Sequence, residues 1–172
     1  MYNLDCRKNG VMHSGFYDAY SKVAMQVYHW IKGGNDKRNW VVGHSLGGGM
    51  CSAFAMTADH IYPGNEKINY ERFVCFGSPR CVDPNKASHF QRHSGFTMYH
   101  YRHGMDPVPE LVPSRIGFTE YDHLAPKKNR EWLNKPNRVA GLLKVLKDPK
   151  QLIEHHAMKQ YKMQLKKFVR AK

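Results

Sequence analysis

A serine lies between two glycines in the pattern G-x-S-x-G, formed by residues 43–47 with Ser45 at its centre. An apolar run at residues 40–42 precedes it and predicts the end of a buried strand, and apolar residues at helical spacing follow from Met50. Strand, tight turn, serine and helix together are the setting of a nucleophile elbow. We expect glycine to be required on both sides, since a Cβ at Gly43 or Gly47 would meet the incoming strand or the outgoing helix.

The helix that follows the serine would stabilise a developing negative charge. It starts at Leu46 and directs its free N–H groups and the positive end of its dipole towards the place where an oxyanion would form. The backbone N–H of the residue after the nucleophile is one donor of an oxyanion hole. The sequence therefore predicts Leu46 as an oxyanion residue.

A serine hydroxyl is a weak nucleophile unless an imidazole removes its proton and a carboxylate holds that imidazole. Asp106 follows a predicted strand, as Ser45 does, and in a parallel sheet the carboxyl ends of the strands lie at one edge. The chain has 11 histidines, so composition alone does not select the base. The downstream candidates are His123, His155 and His156.

Strands that alternate with helices must position these residues. The pattern predicts one α/β domain over residues 1–172, with a parallel sheet and flanking helices. We expect helices at 16–31, 46–60 and from Gln151 onward, strands at 40–42, 73–77 and 96–101, and a loop-rich basic stretch at 110–150 with one weak helix at 139–146. In the last helix, one face is predicted to carry Ile153, Ala157, Tyr161, Leu165 and Phe168.

The charge and composition of the chain restrict its expected binding partners and its expected cellular compartment. A net charge of +13 draws the protein to polyanions such as anionic lipid or nucleic acid. Residues 1–8 contain no apolar signal core, and no apolar run approaches the ~18 residues of a membrane span, so an intracellular protein is expected. The four cysteines form no C-x-x-C pair, and no metal site is predicted.

Several motifs fall in the order found in one known family. The sequence resembles the class 3 lipases, the fungal-type triacylglycerol lipase family of the α/β-hydrolases, over about residues 11–165. The motifs that carry the resemblance are His13-Ser14-Gly15-Phe16, the elbow Gly43-His44-Ser45-Leu46-Gly47-Gly48, Phe76-Gly77-Ser78-Pro79-Arg80, Asp106-Pro107-Val108-Pro109, and Glu154-His155-His156-Ala157-Met158 with Tyr161.

The resemblance implies a role for each matching residue. Ser45 is expected to be the nucleophile, Asp106 the orienting acid and His156 the general base. His156 is preferred over the alternative base His155, because its spacing to the following residues fits the family motif better. His123, the other alternative, is interpreted as a surface or loop histidine, and His44 in the elbow as a packing or hydrogen-bonding residue.

The implied activity is hydrolysis of lipid carboxylic esters, with acylglycerols as the expected substrates and with no cofactor. Peripheral contact with an anionic membrane is an expected addition, and nucleic acid is not an expected partner. The family takes its second oxyanion donor from an upstream R-G-T/S-type segment that residues 1–10 lack, so we expect an N-terminally truncated sheet. The alternatives are an inactive or weak lipase-like remnant, and a basic module that binds anionic membrane or nucleic acid.

Overall fold

The computed structural model describes residues 12–33, 39–61, 70–93, 97–112, 115–116, 119–120, 122–135, 137, 147–148 and 150–170. The helices are α1 Ser14–Ser21, α2 Ala24–Gly33, α3 Leu46–Ile61, α4 Pro84–His93, α5 Val108–Leu111, α6 Lys150–His156 and α7 Met158–Arg170. The strands are β1 Asn39–His44, β2 Tyr70–Phe76, β3 Thr97–His103, β4 Arg115–Ile116, β5 Thr119–Glu120 and β6 Arg130–Asn134. A 3₁₀ turn at Lys127–Asn129 leads into β6.

Four strands form a sheet in the order β1-β2-β3-β6, and each neighbouring pair is parallel. Parallel neighbours need crossover connections, and α3 and α4 supply the first two. The predicted parallel α/β sheet with flanking helices is confirmed. The short strands β4 and β5 form a separate antiparallel pair.

Successive residues of β2 point to opposite faces of the sheet and enter two different cores. Phe73 and Cys75 pack with α3, where Phe54 and the buried alanines of that helix meet the sheet. Val74 and Phe76 pack on the other face, against Tyr161 of α7. Burying a side chain such as Phe73 stabilises the fold by about 1.5–3 kcal/mol, so both faces of the sheet contribute to holding the strand ends in place.

Two of the three predicted long helices, the first and the last, are each broken once. Lys22 and Val23 separate α1 from α2, and Ala157 separates α6 from α7. The segments on the two sides of each break face different ways. In the last helix, Ile153 and Ala157 were expected on the buried face and are exposed, Ile153 at 75%; Trp30, whose spacing places it on the apolar face of the first predicted helix, is 76% exposed. Tyr161 and Leu165 do face the sheet, as expected.

The stretch at 110–150 contains more regular structure than its loop-rich composition predicts. Its strand β6 has the polar sequence REWLN and is formed by pairing with β3 rather than by a local apolar pattern. The weak helix predicted at 139–146 lies outside the described residues. Residues 1–11, on which the expected N-terminal truncation depends, also lie outside them, and one domain over 1–172 stays a prediction.

Candidate active site

Ser45 makes the turn between β1 and α3 by itself, since β1 ends at His44 and α3 begins at Leu46. Its φ of 58° is the one positive value at a non-glycine residue in the described part of the chain. A left-handed conformation costs such a residue about 1–2 kcal/mol, so the turn is strained. A Cβ at Gly43 would lie 2.2 Å from the carbonyl oxygen of Gly47, which explains the glycine before the serine.

The glycine expected after the serine has a different environment. Apart from its chain neighbours and the nearby backbone of its own helix, a Cβ on Gly47 would meet no atom of the described residues within 4 Å, so the predicted collision with the incoming strand is wrong. Gly47 lines an open groove of about 720 Å³ between α2, β1 and α3. The next two glycines are the ones at which a side chain would collide with neighbouring residues. A Cβ on Gly48 would lie 2.5 Å from Cβ of Ser78, and one on Gly49 would lie 2.4 Å from the ring of Phe16.

Three of the predicted site residues converge at the carboxyl edge of the sheet. Asp106 follows the end of β3 by three residues, and His156 ends α6. His156 Nε2 lies 2.8 Å from Ser45 Oγ, and its Nδ1 lies 3.0 Å from each carboxylate oxygen of Asp106. The side chain of His156 is 20% exposed and that of Asp106 is 1% exposed. The structure therefore brings Ser45, His156 and Asp106 into one hydrogen-bonded array, open to solvent on the histidine side.

The carboxylate of Asp106 is held by three further features. The hydroxyl of Tyr161 donates to Oδ2 at 2.5 Å, and the backbone N–H of Val108 donates to Oδ1 at 2.9 Å. Burial, and then the negative charge of Asp106, raise the pKa of the Tyr161 phenol, which therefore stays a proton donor. Gly77, with φ of +53°, closes the space behind, since a Cβ there would lie 2.5 Å from Oδ2.

His44 supports the imidazole of His156 from the elbow. The two rings stack with centroids 4.6 Å apart and 25° between their planes. Nε2 of His44 lies 2.7 Å from the carbonyl oxygen of His156, and because a carbonyl only accepts, that nitrogen is the donor. The elbow thus holds both the backbone and the ring of His156.

The two alternative bases lie elsewhere in the hydrogen-bond network. Nδ1 of His155 accepts from the backbone N–H of Met105 at 2.6 Å, and its carbonyl oxygen accepts from Nδ1 of His103 at 3.1 Å. His155 therefore braces the loop that carries Asp106. His123 is 6% exposed and packs on His100 with ring centroids 4.3 Å apart, so of its two interpretations the surface histidine is wrong, whereas it does lie outside the helices and strands.

An ion-pair bridge, which the sequence reasoning missed, supports the same loop. Glu110 in α5 accepts from both Arg80 and Arg102, and Arg80 also donates to the carbonyl oxygen of Val112 at 3.0 Å. Arg80 ends the Phe76–Arg80 motif, which is the signal that could have pointed to this bridge. It ties the segment after Asp106 to the segment after β2.

The N-terminus of α3 carries the predicted oxyanion donor. Leu46 is the first residue of this helix, where N–H groups have no acceptor within the helix. Its side chain is exposed beside Ser45. Within the described residues, no group of three or more His, Cys, Asp or Glu side chains could hold a metal ion. None of the described helices has the length and apolar character needed to span a membrane.

The sequence matches the family model described as "Lipase (class 3)" over residues 1–116. This chain belongs to the class 3 lipase family. A secreted mono- and diacylglycerol lipase of Malassezia restricta is 29% identical over 133 residues, which are 73% of this chain and 40% of that protein. The chain thus spans about 40% of the length of this curated relative.

Solved lipases share the fold of this class 3 lipase family member. The triacylglyceride lipase of Rhizomucor miehei has a TM-score of 0.57 and 25% identity, over 71% of this chain and 44% of that one. A triacylglycerol lipase whose catalytic centre is described as a serine protease triad has the same TM-score of 0.57 and 25% identity, with coverage of 71% and 44%. The predicted α/β-hydrolase-like fold is confirmed.

The expected intracellular location is wrong. The curated relatives that the chain matches are named secreted lipases, and that finding overturns the expectation. The expectation depended on the missing apolar core in residues 1–8. Those residues are not informative about export in a chain that spans 40% of its relative.

Proposed function

We propose that this protein hydrolyses the carboxylic esters of acylglycerol lipids, with Ser45 as nucleophile, His156 as general base and Asp106 as the orienting acid. The observation that carries the proposal is the 2.8 Å distance between His156 Nε2 and Ser45 Oγ, with Asp106 on the other ring nitrogen. A nucleophile within hydrogen-bond reach of a base, which is itself oriented by a carboxylate, is the arrangement that acyl transfer to serine requires.

In the first half of the reaction, Ser45 Oγ attacks the ester carbonyl carbon and His156 Nε2 takes the hydroxyl proton. Asp106 accepts the Nδ1–H hydrogen bond and stabilises the imidazolium. The carbonyl oxygen becomes an oxyanion on the backbone N–H of Leu46. When this intermediate collapses, His156 gives the proton to the leaving alkoxide, so that the alcohol departs and the acyl group remains on Ser45.

Water completes the cycle by the same route. His156 takes a proton from the water, whose oxygen attacks the acyl carbon, and then returns the proton to Ser45 Oγ as the fatty acid leaves. Each single oxyanion donor contributes on the order of 10²–10³ in rate, so a second donor besides Leu46 would strongly affect turnover.

The surroundings of the array favour an apolar substrate. Exposed apolar side chains lie close in sequence to each of its members: Leu46 beside Ser45, Leu111 after Asp106, and Ile153 and Met158 around His156. The matched relatives are named mono- and diacylglycerol lipases, which supports acylglycerols as the substrate class. The net charge of +13 supports peripheral contact with an anionic lipid surface as part of the same proposal.

Labelling with a fluorophosphonate tests the proposal, because this reagent forms a bond only with an activated serine. We expect the wild type to be labelled and to hydrolyse a soluble short-chain ester, and Ser45→Ala to lose both properties. Ser21→Ala, which removes an exposed hydroxyl in α1, is the matched control and should keep both. A folded wild type that is neither labelled nor active would instead establish the inactive lipase-like remnant.

A further inference from the structure

Helix α7 has one face packed on the sheet and one basic face towards solvent. Tyr161 and Leu165 belong to the core on the sheet face. Its solvent side carries four exposed lysines, and the helix contains no acidic residue. These lysines are Lys159, Lys162, Lys166 and Lys167.

The spacing of these lysines leaves their charges uncompensated within the helix. Residues three or four apart are neighbours on a helix surface, so Lys162 lies beside both Lys159 and Lys166. Like charges at this spacing weaken a helix, whereas a solvated helix face is commonly strengthened by pairs of opposite sign. An anionic surface laid against α7 would remove this repulsion.

Exposed apolar side chains between the lysines distinguish the kinds of anionic partner. Met158, Met163 and Val169 are 41%, 44% and 66% exposed on the same helix. A lipid surface can bury such side chains among its acyl chains while its head groups pair with the ammonium groups. The phosphates of a nucleic acid would pair with the lysines but would leave these apolar side chains in water, so the pattern favours lipid.

Helix α7 follows the array closely along the chain. The helix begins two residues after His156. At 1.5 Å per residue, all four lysines lie within about 14 Å of the first residue of α7 along its axis. Leu46 and Ile153, which lie close to Ser45 and His156 in the sequence, are also exposed.

We propose that the basic face of α7, formed by Lys159, Lys162, Lys166 and Lys167, docks the protein on an anionic lipid surface. The inference rests on the proposed function, since docking there brings the ester bonds of that surface to Ser45. It assigns the expected membrane contact to one helix rather than to the net charge of the whole molecule.

Binding to lipid vesicles by the full chain tests the proposal, with phosphatidylcholine vesicles compared with vesicles that also contain phosphatidylglycerol. The α7 variant changes the four lysines to glutamine. The control variant changes four exposed lysines outside α7 to glutamine and alters the net charge equally: Lys22, Lys127, Lys128 and Lys135. Each lysine close to an anionic surface contributes about fivefold in affinity, so we expect the α7 variant to bind anionic vesicles at least ~100-fold more weakly.

The wild type should bind anionic vesicles much more tightly than neutral ones, and added salt should weaken that binding. The control variant should lose only a few-fold. If the α7 variant unfolds, the double variant Lys166→Gln/Lys167→Gln replaces it, with an expected loss of roughly 25-fold. Equal binding to neutral and anionic vesicles, or equal losses in the α7 and control variants, would overturn the proposal. So would α7-dependent retention on DNA without vesicle binding.

Failure of this proposal is distinguishable from failure of the proposed function. Hydrolysis of a soluble short-chain ester should be unchanged in the α7 variant, because none of its lysines contacts the array. Vesicle binding should be unchanged in Ser45→Ala, because docking does not use the nucleophile. If the protein is inactive but still binds anionic vesicles through α7, that result supports the docking surface and refutes the proposed hydrolase function.

Discussion

Replacing Gly77 with alanine should disable the hydrogen-bonded array by adding a single methyl group. The new Cβ would lie 2.5 Å from Asp106 Oδ2, 2.9 Å from the Tyr161 hydroxyl and 3.2 Å from His156 Nδ1. Favourable contacts between non-bonded atoms need about 3.5 Å, so the carboxylate must retreat by about 1 Å. It cannot do so and also keep its hydrogen bonds to Tyr161 and His156.

The size of the effect follows from that displacement. Misplacing a positioning group by 1 Å costs about 10²-fold in rate, so we expect the catalytic rate constant to fall by about 100-fold. The left-handed φ of +53° adds about 1–2 kcal/mol of strain for alanine, and overpacking adds about 1–3 kcal/mol. The free energy of unfolding should therefore fall by about 2–5 kcal/mol.

Initial rates on a soluble short-chain ester, with the active fraction titrated by a fluorophosphonate, measure the first effect, and urea unfolding measures the second. Gly104→Ala is the comparison variant, since Gly104 also has a positive φ, +50°, and its Cβ would lie 2.6 Å from Nδ1 of His155. It should lose similar stability but less activity per folded molecule, because the atoms nearest its Cβ belong to His155, which braces the Asp106 loop, and not to the array. A folded Gly77→Ala protein with the wild-type rate constant would refute the reasoning.

Three further predictions concern the surroundings of the array. Gly47→Ala should fold and keep activity within a few-fold, as measured by thermal melting and ester hydrolysis, because its Cβ would enter open space; loss of folding would contradict this. Tyr161→Phe should lower the rate constant by at least roughly tenfold, since a hydrogen bond to a charged group contributes about 1.5–3 kcal/mol. Its control is Tyr20→Phe, which removes a buried hydroxyl bonded to a threonine and should leave the rate constant unchanged. Burial, with repulsion from nearby cationic groups, lowers the pKa of His100 and His123 well below 6.5. The unfolded chain therefore binds more protons below pH 6.5, so stability should fall on acidification by up to ~2.7 kcal/mol per pH unit for the two groups; urea unfolding that gives equal stability at neutral and mildly acidic pH would disprove it.

The first three strands of the sheet, the helix after Ser45 and the turn at Ser45 could be predicted because their signals are local, whereas α4 was not predicted. A short apolar run, a glycine on a tight turn and a helical pattern occupy neighbouring residues, so the chain near Ser45 encodes its own conformation. The parallel sheet follows from the alternation of such units. Strand β6 could not be predicted in this way, since its polar sequence becomes a strand only by pairing with β3.

Which of the two adjacent histidines faces Ser45 depends on how the helices pack, not on a local signal. Motif spacing favours His156 over the adjacent His155, but one residue rotates a side chain by about 100° around a helix, so the direction of each ring depends on how the helix packs. The packing of α6 and α7 on the sheet turns His156 to Ser45 and His155 to Met105.

The sequence by itself determined the residue types and the local turns, because propensity and glycine sterics act between neighbours in the chain. Only the tertiary structure decided that Tyr161, Gly77 and Asp106 share one pocket, that Gly47 faces open space, and that Ile153 is exposed. Those facts depend on how distant elements are oriented against each other, and a break of one or two residues in a helix makes the segments on its two sides face different ways.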